Sequence, residues 1–168
     1  MAFLDGKPAG RIAGIVARPA IEKWGKRQLR FGWFDFIDDT DVSKSLLGTV
    51  ESWGKELEME AVHGPLGFTS LDSKGMLIEG FEEPRTLGAL YNYAYYPQHM
   101  VQHGYDKDVD WVEYEITLPE DIPEKVDRIS RIVEKRLNLK LLRVNNAKGL
   151  LSYAKELFEV LEESYRSL

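Results

Sequence analysis

Apolar and polar positions divide the chain into segments of different period. After a stub, Phe3-Leu4, and a turn signal at Asp5-Gly6-Lys7-Pro8, the run Arg11 to Ala17 is small and apolar beyond its first position, which predicts a buried strand. The segment QLRFGWFDF predicts a second strand, with Leu29, Phe31 and Trp33 on one face and Phe34 and Phe36 on the other. Apolar residues on both faces imply a central strand covered from both sides. Between these strands, Pro19 and Gly25 mark a loop. Val42, Leu46, Leu47, Val50, Trp53 and Leu57 then recur at helical spacing, making DDTDVSKSLLGTVESWGKELEM the clearest helix of the chain. Thr40 or Asp41 is placed to cap it.

Further along, EAVHGPLGF predicts a short third strand broken at Gly64-Pro65, followed by a long irregular stretch, TSLDSKGMLIEGFEEPRTLGAL. Loops of that length are often functional. Pro97 and Gly104 bracket a short helix by the preference for proline first and glycine last. In DVDWVEYEITL, Val112, Tyr114 and Ile116 alternate with Glu113, Glu115 and Thr117, the pattern of a half-exposed strand. PEDIPEK marks a boundary, which divides the chain into residues 1–118 and 119–168. The second part predicts a helix from Pro123 to about Arg136, a strand from Leu139 to Val144, and a long helix striped by Leu150, Leu151, Ala154, Leu157, Phe158, Leu161 and Tyr165.

Composition narrows the function classes. The 168 residues are 43% hydrophobic and 30% charged, a globular balance. No apolar run approaches the roughly 20 residues that span a bilayer. The opening MAFLDGKPAGR lacks the charged start and apolar core of a signal peptide. A cytoplasmic location with no membrane partner is the expectation. There is no cysteine, which excludes disulfides, thiolate zinc sites and cysteine nucleophiles. His99 and His103 share the i,i+4 spacing of one helical face, but no H-E-x-x-H pattern surrounds them and no metal is expected. Residues 1–118 carry 12 basic and 19 acidic side chains, which argues against nucleic-acid binding as a main role. The one basic stretch, with Arg18, Lys23, Lys26, Arg27 and Arg30, reads as a solvated loop.

Four segments carry a resemblance: DGKPAGRIAGIV, FGWFDFIDD, GPLGFTSLDSKGMLIEGFEEP and YNYAYYPQHMVQHGY. Together they resemble a little-characterised bacterial family of GNAT-like N-acetyltransferases, over nearly all of residues 3–118. The resemblance implies an α/β (α+β) fold: a GNAT-like mixed, mostly antiparallel sheet flanked by helices, incomplete at both ends. The family's proteins carry two GNAT-like halves in tandem, so residues 119–168 would supply an inter-half helix and the first strand and helix of a second half. It also implies acetyl-CoA as cofactor, touched here by Phe34 and Phe36, and a small-molecule or peptide-like amine as acceptor. Self-association, or contact with a second GNAT-like half, would complete the sheet.

The resemblance also implies a cradle for the CoA diphosphate between the central strand and the main helix, built from glycines, basic residues and backbone N–H groups. Here that loop is FIDDTDVS, with no glycine and no basic residue before Lys44. Asp38, Asp39 and Asp41 place negative charge where the diphosphate would lie. Like charges about 4 Å apart cost roughly 1 kcal/mol in water, and about 4 at an effective dielectric near 20. The position of the family's tyrosine acid, counted back from Gly104-Tyr105, is Met100, which has no proton to donate. His63, Asp72, Glu79, Glu82 and Glu83 are candidate bases by chemistry alone.

One composition remains unassigned. Residues 76–105 hold five tyrosines. If the chain is extended there, Tyr91, Tyr93 and Tyr95 point one way and Asn92 the other. Tyr91, Asn92 and Tyr96 are therefore the edge of a candidate substrate site, alongside His63 and Asp72. The alternatives to an acetyltransferase are a non-catalytic ligand-binding or scaffold half using this tyrosine-lined cleft, and an aminoacyl-transferase-like tandem-GNAT protein.

Overall fold

The chain is described by a computed structural model at residues 1–69, 71–84, 86, 88 and 90–165. It falls into two units, Met1–Glu113 and Tyr114–Leu168, which meet before the PEDIPEK boundary rather than at it. The architecture is mixed α/β, with a four-stranded, mostly antiparallel sheet flanked by helices.

In the first unit, β1 (Ala2–Leu4) and β2 (Lys7–Ile15) form a hairpin whose Asp5 and Gly6 both have positive φ. That is the conformation a two-residue hairpin turn requires. Lys7 and Pro8 belong to the strand, which starts earlier and stops earlier than the apolar run alone suggests. The expected loop after β2 is instead a helix, α1 (Arg18–Trp24). Pro19 sits in its first turn, and Gly25 closes it in the left-handed conformation. β3 (Gln28–Phe36) pairs antiparallel with β2, and through α2 (Thr40–Glu56) the chain returns to β4 (Ala61–His63), which pairs with β3 in parallel. α3 (Tyr95–Gln102) begins ahead of Pro97.

The faces of β3 differ from the alternation expected. The register against β2 shifts between Arg11 and Ala13, where β3 carries an extra residue, and Trp33 takes a φ of 46°. This bulge resets the alternation. Leu29 and Phe31 before it and Phe34 and Phe36 after it are all buried in one core, whereas Trp33 is 54% exposed. The strand is thus buried mainly on one face. On the other, Arg11 and Asp35 pair across the strands in solvent at 2.6 Å. A second approach is close. Leu66 N–H donates to the Phe31 carbonyl at 2.7 Å, and a Cβ on Gly32 would lie 2.7 Å from the Leu66 carbonyl oxygen. A side chain at position 32 would push this loop off the strand.

α2 closes the core with Val42, Leu46, Leu47 and Val50, packed with Leu29, Phe31, Phe34, Phe36 and Tyr96. Burying each large side chain of this set stabilises the fold by about 1.5–3 kcal/mol. Trp53, at the expected helical spacing, is partly exposed, and Gly54 takes the buried place against Leu29 and Val62. The basic stretch is not simply solvated. Arg27 donates to the Leu57 carbonyl and the Glu58 carboxylate, and Arg30 to the carbonyls of Gly67 and Phe68.

The two later strands expected from alternation do not form. Residues 106–118 and 139–144 join no ladder among the described residues, and Val112, Tyr114, Ile116 and Leu141 remain exposed. An extended segment is stable only when its N–H and C=O groups find a neighbouring strand. The second unit comprises α4 (Glu124–Leu137), α5 (Ala147–Leu150), a 3-10 turn (Leu151–Tyr153) and α6 (Ala154–Tyr165), so the expected single long helix is interrupted. None of its described residues is buried. Ile129 and Ile132 on α4, and Leu157, Phe158 and Leu161 on α6, face solvent. Of the irregular stretch, Ser70, Arg85, Leu87 and Ala89 lie outside the described residues. No helix among the described residues is long and apolar enough to cross a membrane.

Candidate functional site

The densest convergence of polar side chains lies where the end of β3, the start of α2 and α3 meet. The N-terminus of α2 is capped by Asp39, one residue before the expected Thr40 and two before the expected Asp41. Its Oδ1 accepts from the N–H of Asp41 at 2.9 Å and of Val42 at 3.0 Å. These are helix-end donors that would otherwise be open to an anion. Asp39→Ala should lower stability by about 1 kcal/mol, the usual cost of losing such a cap. A urea midpoint that falls with no change in m would show it.

Two adjacent tyrosines hold the last residue of β3 by its backbone. Tyr95 Oη donates to the Phe36 carbonyl at 2.6 Å, and Phe36 N–H donates to Tyr96 Oη at 3.2 Å. Burial, with the nearby Tyr96 and Asp38 charges, pushes the Tyr95 phenol up to about 12, so it remains a donor at neutral pH. Burial also raises Tyr96. The Phe36 ring lies 4.3 Å from Tyr96, 4.5 Å from Phe34 and 5.1 Å from His99, centroid to centroid.

Behind these rings runs a chain of polar contacts. His99 Nε2 is 2.9 Å from Asp38 Oδ1, His99 Nδ1 is 2.7 Å from Ser43 Oγ, and His103 Nε2 is 2.8 Å from the same oxygen. Ser43 is fully buried, and its hydroxyl also lies 3.1 Å from the Thr40 carbonyl. Asp38 is largely exposed. Although serine, histidine and aspartate stand in sequence, the serine is sealed from solvent and cannot meet a substrate, so the group does not form a nucleophilic triad. Burial, His99 and Lys44 lower the pKa of His103, against an opposing pull from Glu51. Tyr105 donates to Glu51 Oε1 at 2.9 Å, and burial and that carboxylate raise its pKa.

The residues singled out from sequence are distributed over separate interactions. Tyr96 belongs to the convergence, and Phe34 and Phe36 turn their rings into the core beneath it. Asn92 is buried, but its Oδ1 accepts from Leu77 N–H at 2.6 Å, and its Nδ2 donates to the Leu77 and Tyr93 carbonyls at 3.1 and 3.0 Å. It splices two loop segments in the manner of a missing strand and has no donor to spare. Tyr91 is exposed; Tyr93, also exposed, stacks on Tyr95 at 5.6 Å. His63 pairs with Asp108 at 3.1 Å. Asp72 accepts from the N–H and hydroxyl of Thr69 at 2.7 and 3.3 Å. Glu79, Glu82 and Glu83 are exposed. Met100 packs against the core, and its carbonyl accepts from Tyr105 N–H at 3.0 Å.

Sequence reasoning missed the roles of Asp38, Ser43, His99 and His103. The i,i+4 spacing of the histidines was the available signal, and it was weighed only against a metal site, which it did not support. Among the described residues no group of His, Asp or Glu is arranged to hold a metal ion. The junction also does not fit a CoA diphosphate. It presents carboxylates at Asp38, Asp39 and Asp41, and the side chain of Asp39 occupies the N–H groups of Asp41 and Val42.

No family model matches the chain, and no solved structure matches it. Protein YghO of Escherichia coli (strain K12) is 29% identical to it over 133 residues, which cover 76% of this chain and 34% of that protein. The chain spans about a third of the length of this curated relative.

Proposed function

We propose that this chain is a GNAT-like scaffold half of an N-acetyltransferase acting on an amine, and that acetyl-CoA is held elsewhere in the working protein. The observation that carries the reading is the carboxylate of Asp39 on the first N–H groups of α2. A helix end filled by its own aspartate, with two further aspartates beside it, repels a diphosphate instead of cradling it. The sheet, with its parallel β3–α2–β4 unit, is consistent with the resemblance in residues 3–118. The length of YghO, of which this chain covers 34%, leaves room for a second, cofactor-bearing part in proteins of this kind.

The cleft reading has less support. The hydroxyls of Tyr95 and Tyr96 are engaged with Phe36, and the amide of Asn92 with Leu77 and Tyr93, which leaves Tyr91 and Tyr93 as exposed rings. The test is a thermal melt of the 168-residue chain with acetyl-CoA. A ligand present at about 100 times its Kd adds about 2.7 kcal/mol, which for a domain of this size is a shift of several degrees. No shift is expected at millimolar acetyl-CoA. A saturable rise, reproduced by free CoA, would show that this half seats the cofactor and would overturn the proposal.

A further inference from the structure

We propose that Asp38, His99, Ser43 and His103 form a proton clasp between α2 and α3: it takes up one proton with every hydrogen bond kept, and releases α3 on the second. The proposal does not depend on the acyl-transfer reading.

The argument is an account of hydrogens. The Asp38 carboxylate only accepts, so His99 Nε2 carries a hydrogen toward it across 2.9 Å. In neutral His99, Nδ1 is then bare, and the Ser43 hydroxyl must donate to it across 2.7 Å. Ser43 Oγ in turn accepts from His103 Nε2–H across 2.8 Å. The result is one directed chain, from His103 through Ser43 and His99 to Asp38. When Nδ1 of His99 is protonated, that bond reverses and His99 donates to Ser43 Oγ. The serine hydrogen is displaced, but it has a second acceptor within reach, the Thr40 carbonyl at 3.1 Å. Nothing is stranded, and the imidazolium faces a carboxylate. Rotation of one hydroxyl lets the buried group hold a proton.

A second proton has no such accommodation. On His103 it would create two imidazolium rings with centroids 6.2 Å apart. From α2, Lys44 adds like charge and Glu51 opposes it, while Glu51 is shared with the Tyr105 hydroxyl. From β3 and α3, the rings of Phe36 and Tyr95 face His99. The lowered pKa of His103 agrees with this geometry. The sign follows: a histidine that binds its proton less readily folded than unfolded contributes full stability above the unfolded value of 6.5. That contribution declines as the pH falls below 6.5 and is gone below the folded pKa. What α3 uncovers on release is also defined. Its first residues, Tyr95 and Tyr96, hold the carbonyl and N–H of Phe36.

The test uses the 168-residue chain and His103→Gln, which keeps a donor toward Ser43 but cannot titrate. Between about pH 7.5 and about pH 5, the wild-type melting temperature should fall by about 2–4 °C more than that of the variant. Amide exchange read by NMR locates the event. After correction for intrinsic rates, the Phe36 amide should exchange about tenfold faster at the lower pH, and at both pH values ahead of that of the fully buried Leu29 near the start of β3. Parallel melting curves for the two proteins would overturn the proposal. So would a Phe36 amide that exchanges in step with Leu29, a measurement that stands even if the variant does not fold.

Discussion

Phe31→Ala should lower the stability of the chain by about 3–5 kcal/mol, as expected for removal of a fully buried aromatic ring. Phe31 has no exposed surface, and three kinds of contact converge on it. Its ring meets Phe34 edge-on at 5.6 Å and Tyr105 at 6.1 Å, pairs that each add about 0.5–1.5 kcal/mol beyond area alone. Leu29 and the α2 residues Leu46 and Leu47 share its core. The backbone carbonyl of Phe31 anchors Leu66, whose own carbonyl oxygen would lie 2.7 Å from a Cβ on Gly32, so the loop already sits against the strand. Little can therefore collapse into the void. Trp33→Ala, two positions away and larger in volume, should change stability by only about 0.5 kcal/mol, since its indole lies in solvent. Urea unfolding of the two variants side by side checks both values. Equal costs would mean that the bulge at Trp33 is not where the structure puts it.

Ser43→Ala is the second large effect, about 2–4 kcal/mol. The hydroxyl is the common partner of His99 Nδ1 and His103 Nε2. Taking it away leaves two ring nitrogens facing a methyl group, one of them on a buried ring, at about 1–3 kcal/mol for each buried group left unpaired. A smaller side chain admitting water would bring the cost toward the lower end. Coupling distinguishes this from a simple packing loss. In a His103→Leu background, one of the two nitrogens is already gone, and the cost of Ser43→Ala should shrink by about 1 kcal/mol. Additive costs in the double-mutant cycle would mean that Ser43 and His103 do not share a hydrogen bond.

Much of the first unit was legible in the order of its residues. The stripe from Val42 to Val50 marks α2, the Asp5-Gly6 pair marks the hairpin, and the short strand ending before Gly64 is β4. Pro19 and Gly25 read, in the sequence alone, as loop punctuation. They are the opening and closing signals of α1, a helix too short and too exposed to show a stripe. The faces of β3 were misassigned because alternation was counted through Trp33, where one inserted residue changes the parity of everything after it. Residues 108–118 and 139–144 do alternate or run apolar, but a strand is a property of a pair, and neither finds its neighbour among the described residues. The candidate site was least legible. Asn92, expected at the edge of a substrate site, has its amide paired with the backbone of Leu77 and Tyr93. Ser43 lies 56 positions before His99, a separation no local pattern can bridge.

The extra residue at Trp33 bears on which changes of length the chain can absorb. Deleting Trp33 itself would restore a regular ladder and still leave Phe34 and Phe36 on the helix side of the sheet, two and four steps beyond Phe31. Removing a residue between Leu29 and Phe31 with the bulge kept would instead turn Leu29 away from the core that Phe31, Phe34 and Phe36 share with Tyr96. Descendants of this sequence are free to lengthen or shorten in their loops, but within residues 28–36 the spacing behaves as a reading frame that can lose one residue at the bulge and nowhere else.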